Sequence, residues 1–146
     1  MSQNNALLLS VRQKYANKIF SGTKTVELRK NRPRVTKGDT ILVYVTSPVK
    51  ALSAILIVDE VVTAELSELW AWVKKGADVT EEEYYDYFSD ATSGCGIFFS
   101  DVQIFPSPLS LKALKEMWPN FHPPQGYYYL PSNLYYQVLQ KICQYL

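Results

Sequence analysis

Residues 22–50 read GTKTVELRKNRPRVTKGDTILVYVTSPVK, and the fold turns on them. Lys24 to Lys30 alternates, with Val26 and Leu28 on one side and Thr25, Glu27 and Arg29 on the other, the period of a half-buried strand. Asn31 to Lys37 holds Pro33 among Arg32, Arg34 and Lys37 and reads as a loop, closed by a Lys37-Gly38-Asp39 turn. Thr40 to Thr46 (TILVYVT) is rich in β-branched and aromatic residues, so it reads as a second strand, broken at Ser47-Pro48. Ala51 to Val62 then runs nearly unbroken in apolar residues, as a central strand or as a bent one shared between two sheet edges. Strands this closely spaced predict a barrel or sandwich core, with Val26, Leu28, Ile41, Val43 and Ile55 inside it.

Toward the N-terminus, Ala6 to Val11 has the size of a buried strand, and Ser10 is placed to cap the next segment. Arg12 to Ser21 puts Tyr15, Ala16, Ile19 and Phe20 on one helical face, and Gly22 stands where a left-handed residue ends a helix. On the other side, Glu65 to Lys75 carries Leu66, Leu69, Trp70 and Val73 at helical spacing. Thr80-Glu81-Glu82-Glu83 is a capping box opening a helix with Tyr84, Tyr85, Tyr87 and Phe88. Gly94 to Phe105 returns to strand composition, Pro106 and Pro108 frame a loop, and Ser110 to Trp118 is a short helix. Pro119 to Leu130 (PNFHPPQGYYYL) is a stiff aromatic loop. A last helix from Ser132 aligns Leu134, Tyr135, Val138, Leu139, Ile142 and Leu146. Residues 1–5 are expected to fray. With no repeat and no linker, residues 1–146 form one domain, 131–146 being a helical extension.

Length and composition agree: 146 residues with 47% hydrophobic and 20% charged suit one globular domain and exclude wholesale disorder. No apolar run approaches the ~18 residues of a membrane span, and no secretory leader is evident, so cytoplasm is the expected location, with no membrane partner. One histidine and two cysteines are too few for a self-contained zinc site, so no metal or cofactor is expected. Cys95 and Cys143 read as buried thiols and His122 as a loop histidine. Charge is divided unevenly. Residues 1–50 hold ten Lys and Arg against Glu27 and Asp39, whereas residues 51–146 hold five against twelve acids. The basic part suggests an anionic partner, nucleic acid first, or else solvated charges paired with acids of the other half.

The order of these segments resembles the ASCH domain, a branch of the PUA-like superfamily. The likeness is carried by Gly22-Thr23-Lys24-Thr25-Val26-Glu27-Leu28-Arg29, the basic proline loop, Lys37-Gly38-Asp39 and a strand ending in Tyr44 and Ser47-Pro48-Val49-Lys50. Downstream it takes in the Trp70 helix, the aromatic helix ending Tyr87-Phe88, and Pro123-Pro124-Gln125. The resemblance implies an α+β fold: a small, closed or nearly closed β-barrel with flanking helices, here with an added C-terminal helix. It also implies RNA or nucleotide binding between the barrel and its first helix. Family members include transcription coregulators, hydrolases of acylated cytidine nucleosides and ribonucleases, so kinship alone does not choose the chemistry.

Lys24 is the first candidate for the cleft: between a helix and a strand it can meet a phosphate or, if desolvated, act as base or nucleophile. The plain alternative is an exposed lysine beside a turn. The hydrolase branch looks like Gly-x-Lys-Thr-x-Thr-x-Arg, and this chain has Glu27 in place of the second threonine. A carboxylate there favours the ammonium form, so Lys24 is expected to stay charged and to bind an anion without turning over acylated cytidine. Glu27 and Arg29 share a strand face, as a cleft network or as a surface ion pair. Arg12 and Lys14 open the first helix, where free amides and a dipole end suit phosphate. Tyr44, Ser47 and Lys50 flank the strand break. Gln125 with Tyr127 and Tyr128 offers an edge reader beside aromatic faces. The leading expectation is an RNA- or nucleotide-binding module with a nucleobase cleft, in RNA metabolism or transcription control. The alternatives are a metal-independent hydrolase of modified nucleosides or RNA using Lys24 and Glu27, and a protein-interaction module built on the acidic, tyrosine-rich half.

Overall fold

Six strands form one sheet in the order β2-β5-β4-β3-β1-β6. They are β1 (Ala6–Val11), β2 (Val26–Arg29), β3 (Thr40–Val45), β4 (Ala51–Glu65), β5 (Ser93–Ser110) and β6 (Tyr127–Tyr129). The computed structural model describes residues 6–143 apart from the side chain of Cys143. The expectations for residues 1–5, for the burial of Cys143 and for Leu146 therefore lie outside the described residues. β1 and β3 pair in parallel, and every other ladder is antiparallel. The sheet curls into a half-barrel, an α+β fold with five helices. Its edges, β2 and β6, face each other across an open seam without a ladder between them.

Alternation along β1 and β3 explains the core. Leu7, Leu9, Val11, Ile41, Val43 and Val45 point to one face, where α1 (Gln13–Ser21) adds Ala16 and Ile19. Leu8, Leu42 and Tyr44 point to the other, covered by α4 (Leu111–Met117) and α5 (Ser132–Cys143) through Leu114, Val138 and Ile142. Both faces are dry, which is why these strands read as continuous apolar runs. Burying each large aliphatic side chain contributes roughly 1.5–3 kcal/mol. A third cluster sets α2 (Leu66–Val73) and α3 (Glu81–Tyr87) on Val26 and Leu28 through Leu69, Val73, Tyr84 and the neighbouring Phe88. Gly96 permits that contact, since a Cβ there would stand 2.9 Å from Val73 Cγ1. Val26, Leu28, Ile41, Val43 and Ile55 are all buried, as the sequence predicts. No helix among the described residues is long and apolar enough to cross a membrane.

Four local expectations are corrected. β2 is covered on both sides, because Glu27 and Arg29 turn toward the inside of the half-barrel opposite Ile97 and Cys95. Pro106 and Pro108 lie within β5: Leu52 pairs with Leu109 and Ala54 with Ile104, so residues 105–108 bulge opposite Ser53, where no ladder amide is needed. Tyr127–Tyr129, read as loop, forms the edge strand β6 on β1. Ser10 caps nothing; it is in β1, its hydroxyl donates to Pro124 O at 2.6 Å, and Arg12 is the N-cap of α1.

Candidate functional site

The end of α1 places Lys24. Gly22 adopts φ 89° and donates to Ile19 O, after which Lys24 N–H returns to Lys18 O at 3.0 Å. Only glycine takes that left-handed turn without steric cost. The next amide, of Thr25, is held by Gly76 O at 2.8 Å. The Lys24 side chain is thus pressed inward, 3% exposed, with Nζ donating to Ala77 O at 3.0 Å. Glu27 Oε1 stands 4.0 Å from Nζ and the Tyr15 ring centre 5.8 Å. Burial pushes the Lys24 pKa below its ordinary 10.5; Glu27 and Asp78 pull it up, while Lys18 and Arg29 add to the fall. The sequence has Glu27 favouring the ammonium form of Lys24; the carboxylate does pull that way, but burial is the larger effect and the net shift is downward.

Glu27 and Arg29 come from alternate positions of β2 and face the seam. Glu27 Oε1 accepts from Leu28 N–H at 3.2 Å, whereas Oε2, 3.8 Å from Arg29 Nη2, is buried without a hydrogen bond. Arg29 reaches across the seam to donate from Nη2 to Ser10 O at 3.3 Å, and its buried Nε–H has no acceptor. These are two of the three buried side-chain polar atoms left without a partner among the described residues, the third being the Tyr44 hydroxyl. A buried polar atom left unpaired costs about 1–3 kcal/mol. One acceptor and one donor from alternate positions of β2 thus keep unused hydrogen-bonding capacity.

Both residues line a cleft in two parts. The outer part, about 430 Å³, is lined by Ser10, Arg12, Thr46 and Gln125 with Arg29. The inner part, about 100 Å³, is lined by Lys24, Val79, Glu83 and Tyr84. Tyr15, Glu27, Leu28 and Tyr87 line both and join them. Tyr87 is fixed by donating its hydroxyl to Leu28 O at 3.3 Å. Gln125 is brought in by Ser10, whose amide donates to Gly126 O at 3.0 Å and whose hydroxyl holds Pro124. Lys14 stays exposed at the rim, 4.0 Å from Glu83.

Of the residues singled out in the sequence, Arg12, Lys24, Glu27, Arg29 and Gln125 meet in this cleft and Lys14 stands beside it. The others do not. Tyr44 and Tyr128 face the opposite side of the sheet, Tyr44 against Phe121 and Tyr128 donating to His122 O at 2.7 Å. Tyr127 packs beside Tyr129 on the inner face. Ser47 is exposed in the turn, and Lys50 lines a separate groove. Tyr44 belongs to the face of β3 that α4 and α5 cover, Thr46 lines the cleft only because it follows the end of the strand, and Ser47 lies beyond it in the turn. Sequence reading also missed Tyr15, Glu83 and Tyr87. Tyr15 stands one turn from the candidate Arg12, so helical spacing could have joined it to the cleft, whereas no candidate lies one turn from Glu83 or Tyr87. Cys95 is buried, which raises its thiol pKa, and His122 is an exposed loop histidine beside Asn120 O. Among the described residues no group of His, Cys, Asp and Glu has the makings of a metal site.

Known proteins share this architecture. The model of the ASCH domain family matches residues 9–118. A protein of Zymomonas mobilis named ASCH domain-containing ribonuclease is 32% identical over 119 residues, which are 82% of this chain and 80% of that protein. The crystal structure of ASCH from Zymomonas mobilis superposes with a TM-score of 0.86 at 29% identity, covering 92% of this chain and 94% of that one. A serine-to-alanine variant of the same protein gives 0.87 at 28% identity, covering 96% and 98%.

Proposed function

The chain belongs to the ASCH domain family, and on that footing we propose that it acts on single-stranded RNA, seating a nucleotide in the seam cleft and cleaving the adjoining phosphodiester. The observation that carries this reading is the Lys24–Glu27–Arg29 array, in which Glu27 Oε2 and Arg29 Nε are buried without a hydrogen bond beside a cleft that has Arg12 in its wall. The family supports an RNA-related function, and the name of the Zymomonas relative supports cleavage. In the reaction the ribose 2′-oxygen attacks the neighbouring phosphorus. A P–O2′ bond forms, the P–O5′ bond breaks, and a 2′,3′-cyclic phosphate results. Glu27 takes the proton of the 2′-hydroxyl, and Lys24 gives one to the departing 5′-oxygen. At 4.0 Å the two groups are near enough for one water molecule to return the proton afterwards. A lysine whose pKa is lowered is the better acid for that step. Arg29 and Arg12 offset the charge that gathers on the phosphoryl oxygens.

The test compares a single-stranded oligoribonucleotide with its 2′-O-methyl counterpart in excess chelator. Cyclic phosphate ends are expected from the first and no product from the second. Lys24→Met should slow cleavage by at least about 100-fold while binding the 2′-O-methyl strand nearly as well. Binding without any cleavage would reduce the reading to an RNA-binding module, and neither binding nor cleavage would overturn it.

A further inference from the structure

A second depression, of about 630 Å³, lies between the β3–β4 turn and α4. Pro48, Val49 and Lys50 line it from the turn, and Lys112, Lys115 and Glu116 from the helix. Three lysines and one glutamate thus line it, and none of the three lysines is in an ion pair among the described residues. Lys14 and Lys18, near the cleft, are by contrast matched by Glu83 and Asp78. The turn that borders the groove is also a wall of the cleft. Thr46 lines the cleft, and its carbonyl accepts from Val49 N–H at 3.2 Å and Lys50 N–H at 3.4 Å. Lys50 O in turn accepts from Leu111 N–H at 2.9 Å, which ties the turn to α4. Lys50 holds φ 53°, a left-handed conformation that a lysine adopts at a cost, and such outliers gather where function requires them.

We propose that this groove carries the RNA strand as it passes out of the cleft over Thr46, with its phosphates on Lys50, Lys112 and Lys115. The proposal rests on the RNA reading above and deepens it: the substrate is a strand several nucleotides long, and the groove adds affinity that a very short RNA cannot use. The contacts are to phosphate, so they carry length and not sequence.

The experiment measures binding of a 2′-O-methyl trinucleotide and a 2′-O-methyl dodecamer to the wild type and to a Lys112→Glu/Lys115→Glu variant. Both substitutions fall on exposed positions of α4. The expected result is at least about tenfold weaker binding of the dodecamer, with a shallower salt dependence, and unchanged binding of the trinucleotide. Lys50→Gly, which keeps the left-handed turn and removes the charge, should show the same selectivity more mildly. Equal losses on both strands, or none on either, would overturn the groove and leave the cleft reading standing. A wild type that binds neither strand would overturn both.

Discussion

Lys24 illustrates how a residue's surroundings change its chemistry. On an exposed turn it would titrate near 10.5; here burial lowers that value, and the neighbouring charges decide how far. If it is the proton donor, cleavage must fall as pH rises through its depressed pKa, because the amine that remains has no proton to give. Asp78 acts to raise that pKa and Lys18 to lower it. Asp78→Asn should therefore move the alkaline limb of the pH–rate profile to lower pH, and Lys18→Met should move it to higher pH. A rate profile recorded for both variants checks the pair, and shifts in the same direction would refute the role given to Lys24. Neither substitution touches the polar atoms left open in the cleft, so the maximal rate should change far less than the position of the limb.

Among the elements, α3 matters more than its seven residues suggest, since it supplies Glu83, Tyr84 and Tyr87 to the cleft. Its capping box is complete: Thr80 Oγ1 accepts from Glu83 N–H at 3.0 Å, and Glu83 Oε1 accepts from Thr80 N–H at 2.8 Å. Thr80→Ala should cost about 1 kcal/mol of stability by denaturant titration and weaken RNA binding as the first turn loosens. The cap was legible in the sequence because it is local, as were the left-handed Gly22 and the apolar runs of β1, β3 and β4. The illegible parts depend on distant chain. Tyr127–Tyr129 becomes a strand only because Leu7 to Leu9 offers an edge, and β5 passes Pro106 and Pro108 only because its partner β4 leaves Ser53 facing the bulge. The site divides in the same way. Lys24, Glu27 and Arg29 stand in one short string, whereas Thr46 and Tyr87 join them only when the sheet curls.

For the molecule as a whole, the concentration of basic residues in the first fifty does not produce one continuous basic face. Arg32 and Lys37 share a depression with Asp59 and Glu60, Lys18 is matched by Asp78, and Lys50 lies over toward α4. The salt dependence of binding should accordingly reflect a few phosphates and not ten. Arg12 with the three groove lysines predicts a log–log slope of about −3 for a long strand, from roughly 0.7 per phosphate. Affinity independent of salt would contradict this, and fluorescence titration at several ionic strengths measures it. The seam has one more consequence, for biosynthesis. Its second wall arrives late: Ser10 must wait for Pro124 and Gly126, and Leu7 for Tyr129, while the long β4–β5 pairing is available once residue 110 has emerged. A chain that has emerged only as far as residue 110 therefore has five of the six strands but an unfinished cleft.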